Sequence, residues 1–397
     1  MKKTIIFLLL IISMLNVYSA SNQFVLKGKI NGITFGDAEL SYRILSNSKW
    51  EEITVKSTIN QGAFLFKGFL IEPVEALLKI NDIEEIIYIE PVNMKIYISK
   101  NKPDSFKFYG SKTHNEYIQL RIKTQKEDEL LMQNHNRWCL IDKQLDSLPE
   151  DNPKFKELTD ERKYILQNRD SIYNSLAKKA LCILETNPNS FYPLLSNRCL
   201  VYISNGHLRI DTVRKVFDKL SLKLKTSQIG ISFNNYLKIR ENTEINKIAP
   251  DFISIDNNKQ IIKLSDYREK SYVLLDFWAS YCLPCIQGFP FLKYIYDTYH
   301  TKGLQIIGVS TDINKDKWKT TINKYQITKW PQVLQVQDLD KRLQGYINTE
   351  DINEKYPTDG IPKYILIDKS GKIIGKWEGY SEENEKEMDE VMKNIFK

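Results

Sequence analysis

Asp276-Phe277-Trp278-Ala279-Ser280-Tyr281-Cys282-Leu283-Pro284-Cys285 is the stretch that decides the fold of the C-terminal part of the chain. The mostly apolar run from Tyr272 to Trp278 predicts a buried central strand. Apolar residues at helical spacing follow from Cys285 to Tyr299, and Leu304 to Val309 predicts a second buried strand. Strand, helix and strand at this length indicate a βαβ unit with parallel strands.

The two cysteines lie where the first predicted strand gives way to the helix. Two cysteines at this spacing in a first helical turn can reach disulfide geometry. Cys282 also faces the unpaired N–H groups and the positive end of the helix, which favour its thiolate. Pro284 fits the first turn, because the N–H that it lacks would have no helical partner. We therefore expect Cys282 to attack a partner disulfide and Cys285 to resolve the mixed disulfide.

Two other uses of this cysteine pair stay open. A structural zinc site needs four ligands, and no second CxxC or pair of histidines lies nearby in the sequence. His300 is interpreted as an exposed residue at a helix end. A static structural bridge is the second alternative. We expect no metal and no cofactor beyond a redox-active Cys282–Cys285 disulfide.

Further short motifs lie on either side of this unit. Turn residues at Asn257-Asn258 predict a hairpin that ends in Ile261-Ile262-Lys263-Leu264, and Asp368-Lys369-Ser370-Gly371 predicts the turn of a second hairpin. The last residues, from about Glu382 to Phe396, are typical of a closing helix. Together these elements predict an α/β domain over residues 242–397.

The set of motifs resembles the TlpA/ResA-like thiol–disulfide oxidoreductases of the thioredoxin superfamily, which are membrane-anchored or periplasmic. The resemblance runs from about Asn246 to the C-terminus. The stretches that carry it are residues 276–285, Ala249-Pro250-Asp251-Phe252, Leu264-Ser265-Asp266-Tyr267, Gly360-Ile361-Pro362 and Ile367-Asp368-Lys369-Ser370-Gly371.

The resemblance implies roles for the residues of the motif. Cys282 would be the nucleophile and Cys285 the resolving cysteine. Asp276 falls where thioredoxins keep a buried acid that exchanges a proton with the second cysteine, and burial raises the pKa of such a carboxyl. Asp276 could instead be a strand-end residue held by a backbone hydrogen bond.

The same resemblance implies a substrate-binding surface. Trp278 would shield the disulfide, although a Trp at a strand end is often simply part of the core. Pro362, if its peptide bond is cis, would present the backbone of Ile361 to an extended substrate strand. The expected substrate-binding residues are Trp278, Tyr281, Pro284, Ile361 and Pro362.

The sequence departs from the family pattern at three positions. Tyr281 stands where Trp is commonest, and Leu283 is bulkier than the usual Gly. Gly288 occupies a place where many TlpA-like proteins carry a Glu. This last departure weakens any assignment to the cytochrome c maturation branch of the family.

The N-terminus is typical of a secretory signal peptide over residues 1–20. Lys2 and Lys3 precede an apolar run from Thr4 to Leu15, which is shorter than a bilayer requires, and Ser19-Ala20 offers a cleavage point. An uncleaved membrane anchor is the alternative. No Cys lies in the cleavage region, so a lipoprotein is not expected. The mature protein should be soluble and periplasmic or otherwise extracytoplasmic.

Two further domains are predicted between the leader and the α/β domain. Short strands with turn residues between them predict a small antiparallel β sandwich or barrel over residues 21–110. Apolar residues at helical spacing predict a helical linker domain over residues 111–241, with a break at Asn187-Pro188 and a new helix capped by Asn189 or Ser190. Both regions are similar to the N-terminal extension, of uncharacterised function, on many secreted members of the family.

Composition narrows the class of protein. The 397 residues carry 57 basic and 50 acidic side chains spread along the chain, without a dense basic arm, so no nucleic-acid partner is expected. The five cysteines are an odd number, so at most two bridges form and a disulfide-stapled scaffold is excluded. Cys182 and Cys199 could form a bridge or could be ordinary thiols.

The function expected from these observations is an exported thiol–disulfide oxidoreductase of the cell envelope. Its partners would be envelope proteins bearing disulfides or thiols, with a membrane electron donor upstream. A thiol peroxidase is one alternative, although Ala279 stands where such enzymes keep Thr or Ser. In another alternative the N-terminal domains form a binding module that recruits an envelope partner.

Overall fold

The computed structural model describes residues 22–46, 49–99, 106–149, 151–196, 198–204 and 206–397. The predicted signal peptide, residues 1–20, lies outside these ranges. Within them, no helix combines the length and the apolar character needed to cross a membrane. The chain forms two compact units that divide between Asn234 and Asn235, with Lys49 and Trp50 grouped with the second unit.

The first unit contains one eight-stranded sheet. Its strands are β1 (Gln23–Asn31), β2 (Phe35–Ser46), β3 (Lys49–Asn60), β4 (Ala63–Phe69), β5 (Val74–Ile80), β6 (Ile83–Ile89), β7 (Asn93–Ser99) and β8 (Lys107–Tyr109). The spatial order is β6-β5-β2-β3-β4-β1-β7-β8. The predicted β domain is confirmed, with one correction: β1 and β7 are parallel, and the long intervening chain makes this possible.

Alternation of buried and exposed residues explains why this region forms strands. Phe24, Leu26 and Ile30 of β1 are buried, whereas Lys27 and Lys29 between them are exposed. A period of two places every second side chain on one face of a sheet. The buried face packs into one apolar core, so one face of the sheet is buried and the other is exposed to solvent.

Helices follow the sheet, as predicted. They are α1 (Lys112–Leu145), α2 (Pro153–Thr186), α3 (Tyr192–Leu195), α4 (Arg198–Ser204), α5 (Ile210–Asp218), α6 (Leu222–Lys225) and α7 (Gln228–Asn242). The predicted apolar face of α2 is present at Ile165, Ile172 and Leu176, whereas Leu181 is only half-buried. The break after residue 186 is also present.

The predicted cap of the next helix is wrong. Phe191 occupies the N-cap position of α3, and no side chain caps this helix. The hydroxyl of Ser190 instead donates a hydrogen bond to Glu116 on α1. The local pattern predicts Ser190 as a helix cap, but its side chain is engaged in this tertiary hydrogen bond instead.

The second unit is an α/β domain. Its strands are β9 (Ile253–Ile255), β10 (Ile261–Lys263), β11 (Tyr272–Trp278), β12 (Leu304–Ser310), β13 (Gln332–Leu334), β14 (Lys363–Ile367) and β15 (Ile373–Glu378). Its helices are α8 (Leu283–Tyr299), α9 (Lys315–Lys324), α10 (Leu339–Leu343), α11 (Ile352–Lys355) and α12 (Glu382–Ile395).

The pairing of these strands confirms the predicted topology. The five-stranded sheet has the order β13-β12-β11-β14-β15, with β9 and β10 as a separate hairpin. β11 and β12 are parallel neighbours joined through α8, and β14 and β15 form an antiparallel hairpin. The fold class expected from the sequence is therefore confirmed for the residues that the structure describes.

The central strand β11 is buried on both faces, and its alternation positions the site. Leu274 and Trp278 belong to the core cluster that contains the residues of α8, whereas Leu275 and Phe277 belong to the cluster on the other face of the sheet. Because side chains alternate along a strand, Asp276 points to the same face as Leu274 and Trp278. Asp276 therefore lies on the α8 side of the sheet.

Candidate active site

The cysteine pair occupies the start of α8. Cys282 is the N-cap residue, and its Sγ accepts a hydrogen bond from the backbone N–H of Cys285 at 3.2 Å. Leu283 and Pro284 form the first helical positions. The helix start thus directs a backbone donor at the sulfur of Cys282, which favours a thiolate there when the pair is reduced.

Cys282 and Cys285 form a disulfide, with 5.3 Å between their Cα atoms. Cys282 keeps 6% of its surface exposed and Cys285 only 1%, so a partner reaches Cys282 first. Tyr281 and Leu283, which flank Cys282, are 72% and 64% exposed. The disulfide therefore lies just beneath an exposed apolar rim, with one sulfur at its edge.

Asp276 is buried on the same side of the sheet as the disulfide. Only 1% of its surface is exposed, and its Oδ2 has no hydrogen-bond partner among the described residues. Burial raises the pKa of Asp276 to about 8, because the charged form loses its hydration. A carboxyl with this pKa can hold or release a proton near neutral pH.

Trp278 lies fully within the core and not at the surface. Its Nε1 donates a hydrogen bond to Oε1 of Gln332 at 3.0 Å, and its ring packs edge-on against Phe289 of α8. Gln332 in turn fills the space above Gly308, where a Cβ would lie 2.1 Å from its Oε1. Trp278 therefore acts on the site through packing, and Gln332 fixes the orientation of its indole.

The loop before β14 lies beside the same core. The Ile361–Pro362 peptide bond is cis. Ile361 is half-buried and packs against the cluster that contains both cysteines, and Pro362 is buried. Pro284 is exposed on the first turn of α8. The structure thus buries two of the five residues expected to bind substrate, Trp278 and Pro362. Ile361 is half-buried, and Tyr281 and Pro284 are exposed.

Asp312, which is not among the site residues predicted from the sequence, organises the loop that leads to Cys282. Its carboxylate accepts hydrogen bonds from the Ser280 backbone N–H at 2.8 Å, from the Ser280 hydroxyl at 2.6 Å and from the Ser310 hydroxyl at 2.8 Å. Asp312 directly follows β12, and the carboxyl ends of parallel strands meet at one edge of a sheet. This rule could have identified Asp312 from the sequence, whereas no local sequence pattern identifies Gln332.

The other three cysteines lie in the first unit and form no disulfide. Cys139 and Cys182 are exposed, and Cys199 is buried. Burial raises the pKa of the Cys199 thiol to about 12, so it stays protonated and unreactive. Cys182 and Cys199 are thus ordinary thiols and not a bridge.

Comparison with known proteins points to the same domain. Residues 270–373 match the family model described as thioredoxin-like. Thiol-disulfide oxidoreductase ResA of Bacillus cereus is 29% identical over 183 residues, which are 46% of this chain and 96% of that protein. ResA of Bacillus subtilis is 29% identical over 126 residues, which are 32% of this chain and 63% of that protein.

Solved structures also resemble part of this chain. The thioredoxin domain of a thiol-disulfide oxidoreductase from Bacteroides vulgatus is 30% identical, covering 38% of this chain and 98% of that one, with a TM-score of 0.32. A thiol:disulfide interchange protein from Bacteroides sp. is 31% identical, covering 38% and 92%, with a TM-score of 0.32. From its family match, its ResA relatives and its CxxC disulfide, the chain is a thiol–disulfide oxidoreductase whose C-terminal domain is thioredoxin-like and similar to ResA.

Proposed function

We propose that the chain is exported and uses Cys282 and Cys285 to reduce or exchange disulfides of envelope proteins. The observation that carries the proposal is the disulfide at the start of α8, with the more exposed sulfur at the N-cap and a buried carboxyl on the same side of the sheet. The basic and apolar character of residues 1–15 supports export.

Catalysis begins with the reduced pair. The Cys282 thiolate attacks one sulfur of the substrate disulfide, so that the substrate S–S bond breaks and a Cys282–substrate mixed disulfide forms. The other substrate sulfur leaves as a thiolate and takes a proton from solvent. The helix N-terminus assists this step by favouring the thiolate of Cys282.

The second step releases the substrate. Cys285 gives its proton to the carboxylate of Asp276 and attacks Sγ of Cys282, which frees the second substrate sulfur and forms the Cys282–Cys285 disulfide. Two electrons have then passed from the enzyme to the substrate. The enzyme regains them from a dithiol donor at the membrane, which attacks Cys282, and Asp276 returns the proton to Cys285.

The substrate would bind over the apolar rim of the disulfide. Tyr281, Leu283 and Pro284 present exposed surface around Cys282. Ile361 and Pro362 would align an extended substrate segment by backbone hydrogen bonds, as an added strand does. Such a surface suits unfolded or flexible segments of envelope proteins better than a small molecule.

A Cys282→Ser variant tests the site. The reduced full chain should precipitate insulin by reducing its disulfides, and the variant should lose at least about 100-fold in rate because the nucleophile is missing. Cys182→Ser, which removes an exposed thiol of the first unit, is the matched control and should keep the activity. Retained activity in Cys282→Ser would refute the proposal.

A Cys285→Ser variant identifies the partners. It forms the mixed disulfide but cannot resolve it, so envelope proteins should accumulate covalently on Cys282. Capture should vanish when Cys282 is also replaced. Covalent partners with no envelope proteins among them would contradict the proposed substrate class.

A further inference from the structure

Gly288 leaves a niche on α8 just behind the disulfide. It is buried and lies three residues after Cys285, which places both residues on the same face of the helix one turn apart. A Cβ at position 288 would lie 2.9 Å from Oη of Tyr364. The tyrosine hydroxyl therefore occupies the space that a side chain of α8 would otherwise take.

Tyr364 is also the direct neighbour of Asp276. The two residues are partners in the antiparallel pairing of β11 and β14, so their side chains share one face and their Cβ atoms lie about 5 Å apart. Tyr364 is only 5% exposed and belongs to the core cluster that contains both cysteines. The Tyr364 side chain thus runs from the strand beside the buried acid to the helix that carries Cys285.

The charged and titratable groups around the phenol are few. Asp276 on β11, Glu385 on α12 and Tyr380 before α12 interact with it electrostatically. Burial raises the pKa of Tyr364 above its usual range, so the hydroxyl stays neutral and keeps its proton. Burial also raises the pKa of Glu385. The phenol therefore keeps its O–H dipole at every ordinary pH, and this dipole lies between β11, which carries Asp276, and α8.

We propose that Tyr364 is a positioning residue for the resolving step, acting through Asp276 with its hydroxyl held in the niche at Gly288. The inference rests on the proposed function. Before Cys285 loses its proton, the dipole of the phenol O–H favours the ionised form of the neighbouring carboxyl, and this carboxylate then accepts the proton. Removing the hydroxyl leaves Asp276 harder to ionise, so fewer molecules hold the base in its active form at a given pH.

The test measures the two thiol-exchange steps separately. The reduced full chain, with Cys139 and Cys182 replaced by Ser, is mixed with an aromatic disulfide that releases a coloured thiol. A first thiol appears when Cys282 attacks, and a second when Cys285 resolves the mixed disulfide. In Tyr364→Phe, the pH midpoint of the second phase should move up by about 0.5 to 1 unit, with the first phase unchanged.

A double-mutant cycle links the effect to the niche. In Gly288→Ala the new Cβ displaces the Tyr364 hydroxyl, so the midpoint should move in the same direction. Combined with Tyr364→Phe, the alanine methyl enters vacated space, so the double variant should shift no further than the larger single variant. Effects that add in the double variant would show that the two positions act independently.

Two control variants separate positioning from general damage. Tyr356→Phe removes another buried hydroxyl, which donates to the Pro250 carbonyl at 2.6 Å, and should leave the midpoint in place. Glu385→Gln removes the other carboxyl near the phenol and should give less than half the shift of Tyr364→Phe.

The outcomes distinguish this inference from the proposed function. An unshifted midpoint in Tyr364→Phe, or an equal shift in Tyr356→Phe, overturns the role of Tyr364 while the enzyme itself remains active. Absence of both phases in the unmodified chain would instead overturn the proposed function.

Discussion

In the proposed mechanism, Asp276 is the residue at which stability and catalysis oppose each other. Its pKa is about 8 in the folded chain and near 4 in an unfolded chain. Between these values the folded state binds more protons than the unfolded state, so the free energy of unfolding decreases as pH rises. The buried acid thus costs stability at neutral pH, and the proton transfer proposed for Asp276 would explain why the chain keeps it.

Asp276→Asn should therefore stabilise the oxidised domain and slow the enzyme. At pH 8 the gain in free energy of unfolding should reach several kcal/mol, up to about 5, and it should shrink towards pH 4 as the wild-type carboxyl regains its proton. Denaturant unfolding at several pH values measures this. The second phase of thiol release should slow by at least about 10-fold. An Asp276→Asn variant that is as fast as the wild type, or less stable than the wild type at pH 8, would contradict the proposed role.

Asp312 shows how one element is held in place by another. The loop from Ala279 to Tyr281 delivers Cys282 to the start of α8, and the carboxylate that follows β12 accepts two hydrogen bonds from Ser280. Asp312 is only 3% exposed, so these hydrogen bonds are shielded from water. The geometry of the cysteine pair thus depends on a neighbouring strand end.

Asp312→Ala should loosen this loop. Losing hydrogen bonds to a buried carboxylate should lower the free energy of unfolding by about 3 kcal/mol and reduce insulin reduction although both cysteines remain. Asp297→Ala is the matched control, since its carboxylate forms an exposed ion pair with Lys329 and should change stability by less than about 1 kcal/mol. Equal losses in the two variants would show that Asp312 has no special role.

Elements with strong local patterns were predictable, whereas the short elements β13 and α11, which no turn motif marks, were not. β11, α8 and β12 are long apolar or periodic runs that the sequence shows directly. β13 has three residues and α11 has four, which is too short for a periodic signal. Their existence depends on pairing with β12 and on packing, because a short segment cannot bury enough surface to order itself.

At the scale of the whole molecule, the two units should respond differently to pH. His114 in the first unit is 1% exposed, its Nδ1 accepts a hydrogen bond from the Tyr88 backbone N–H at 3.3 Å, and its ring lies 4.4 Å from that of Phe108. Burial lowers the pKa of His114 to about 4. Below the unfolded pKa near 6.5 the unfolded chain binds the extra proton, so stability falls with acidification.

The free energy of unfolding of the first unit should thus fall by about 1.5 kcal/mol between pH 6.5 and pH 5. His114→Phe should flatten this dependence, even though losing the acceptor for Tyr88 lowers stability by a constant amount. His135→Gln, at an exposed position, should leave the slope unchanged. Calorimetry at several pH values resolves the transitions, and an equal slope in His114→Phe would rule out His114 as the cause.

The sequence by itself determined the order of domains, the βαβ unit and the position of the cysteine pair at a helix start, because these follow from local periodicity and spacing. Tertiary structure alone decided which side chains surround the pair. Tyr364 meets Gly288 and Asp276 through strand register and helix packing, and Asp312 meets Ser280 across two strand ends. Such contacts join residues far apart in the chain, so no local pattern records them.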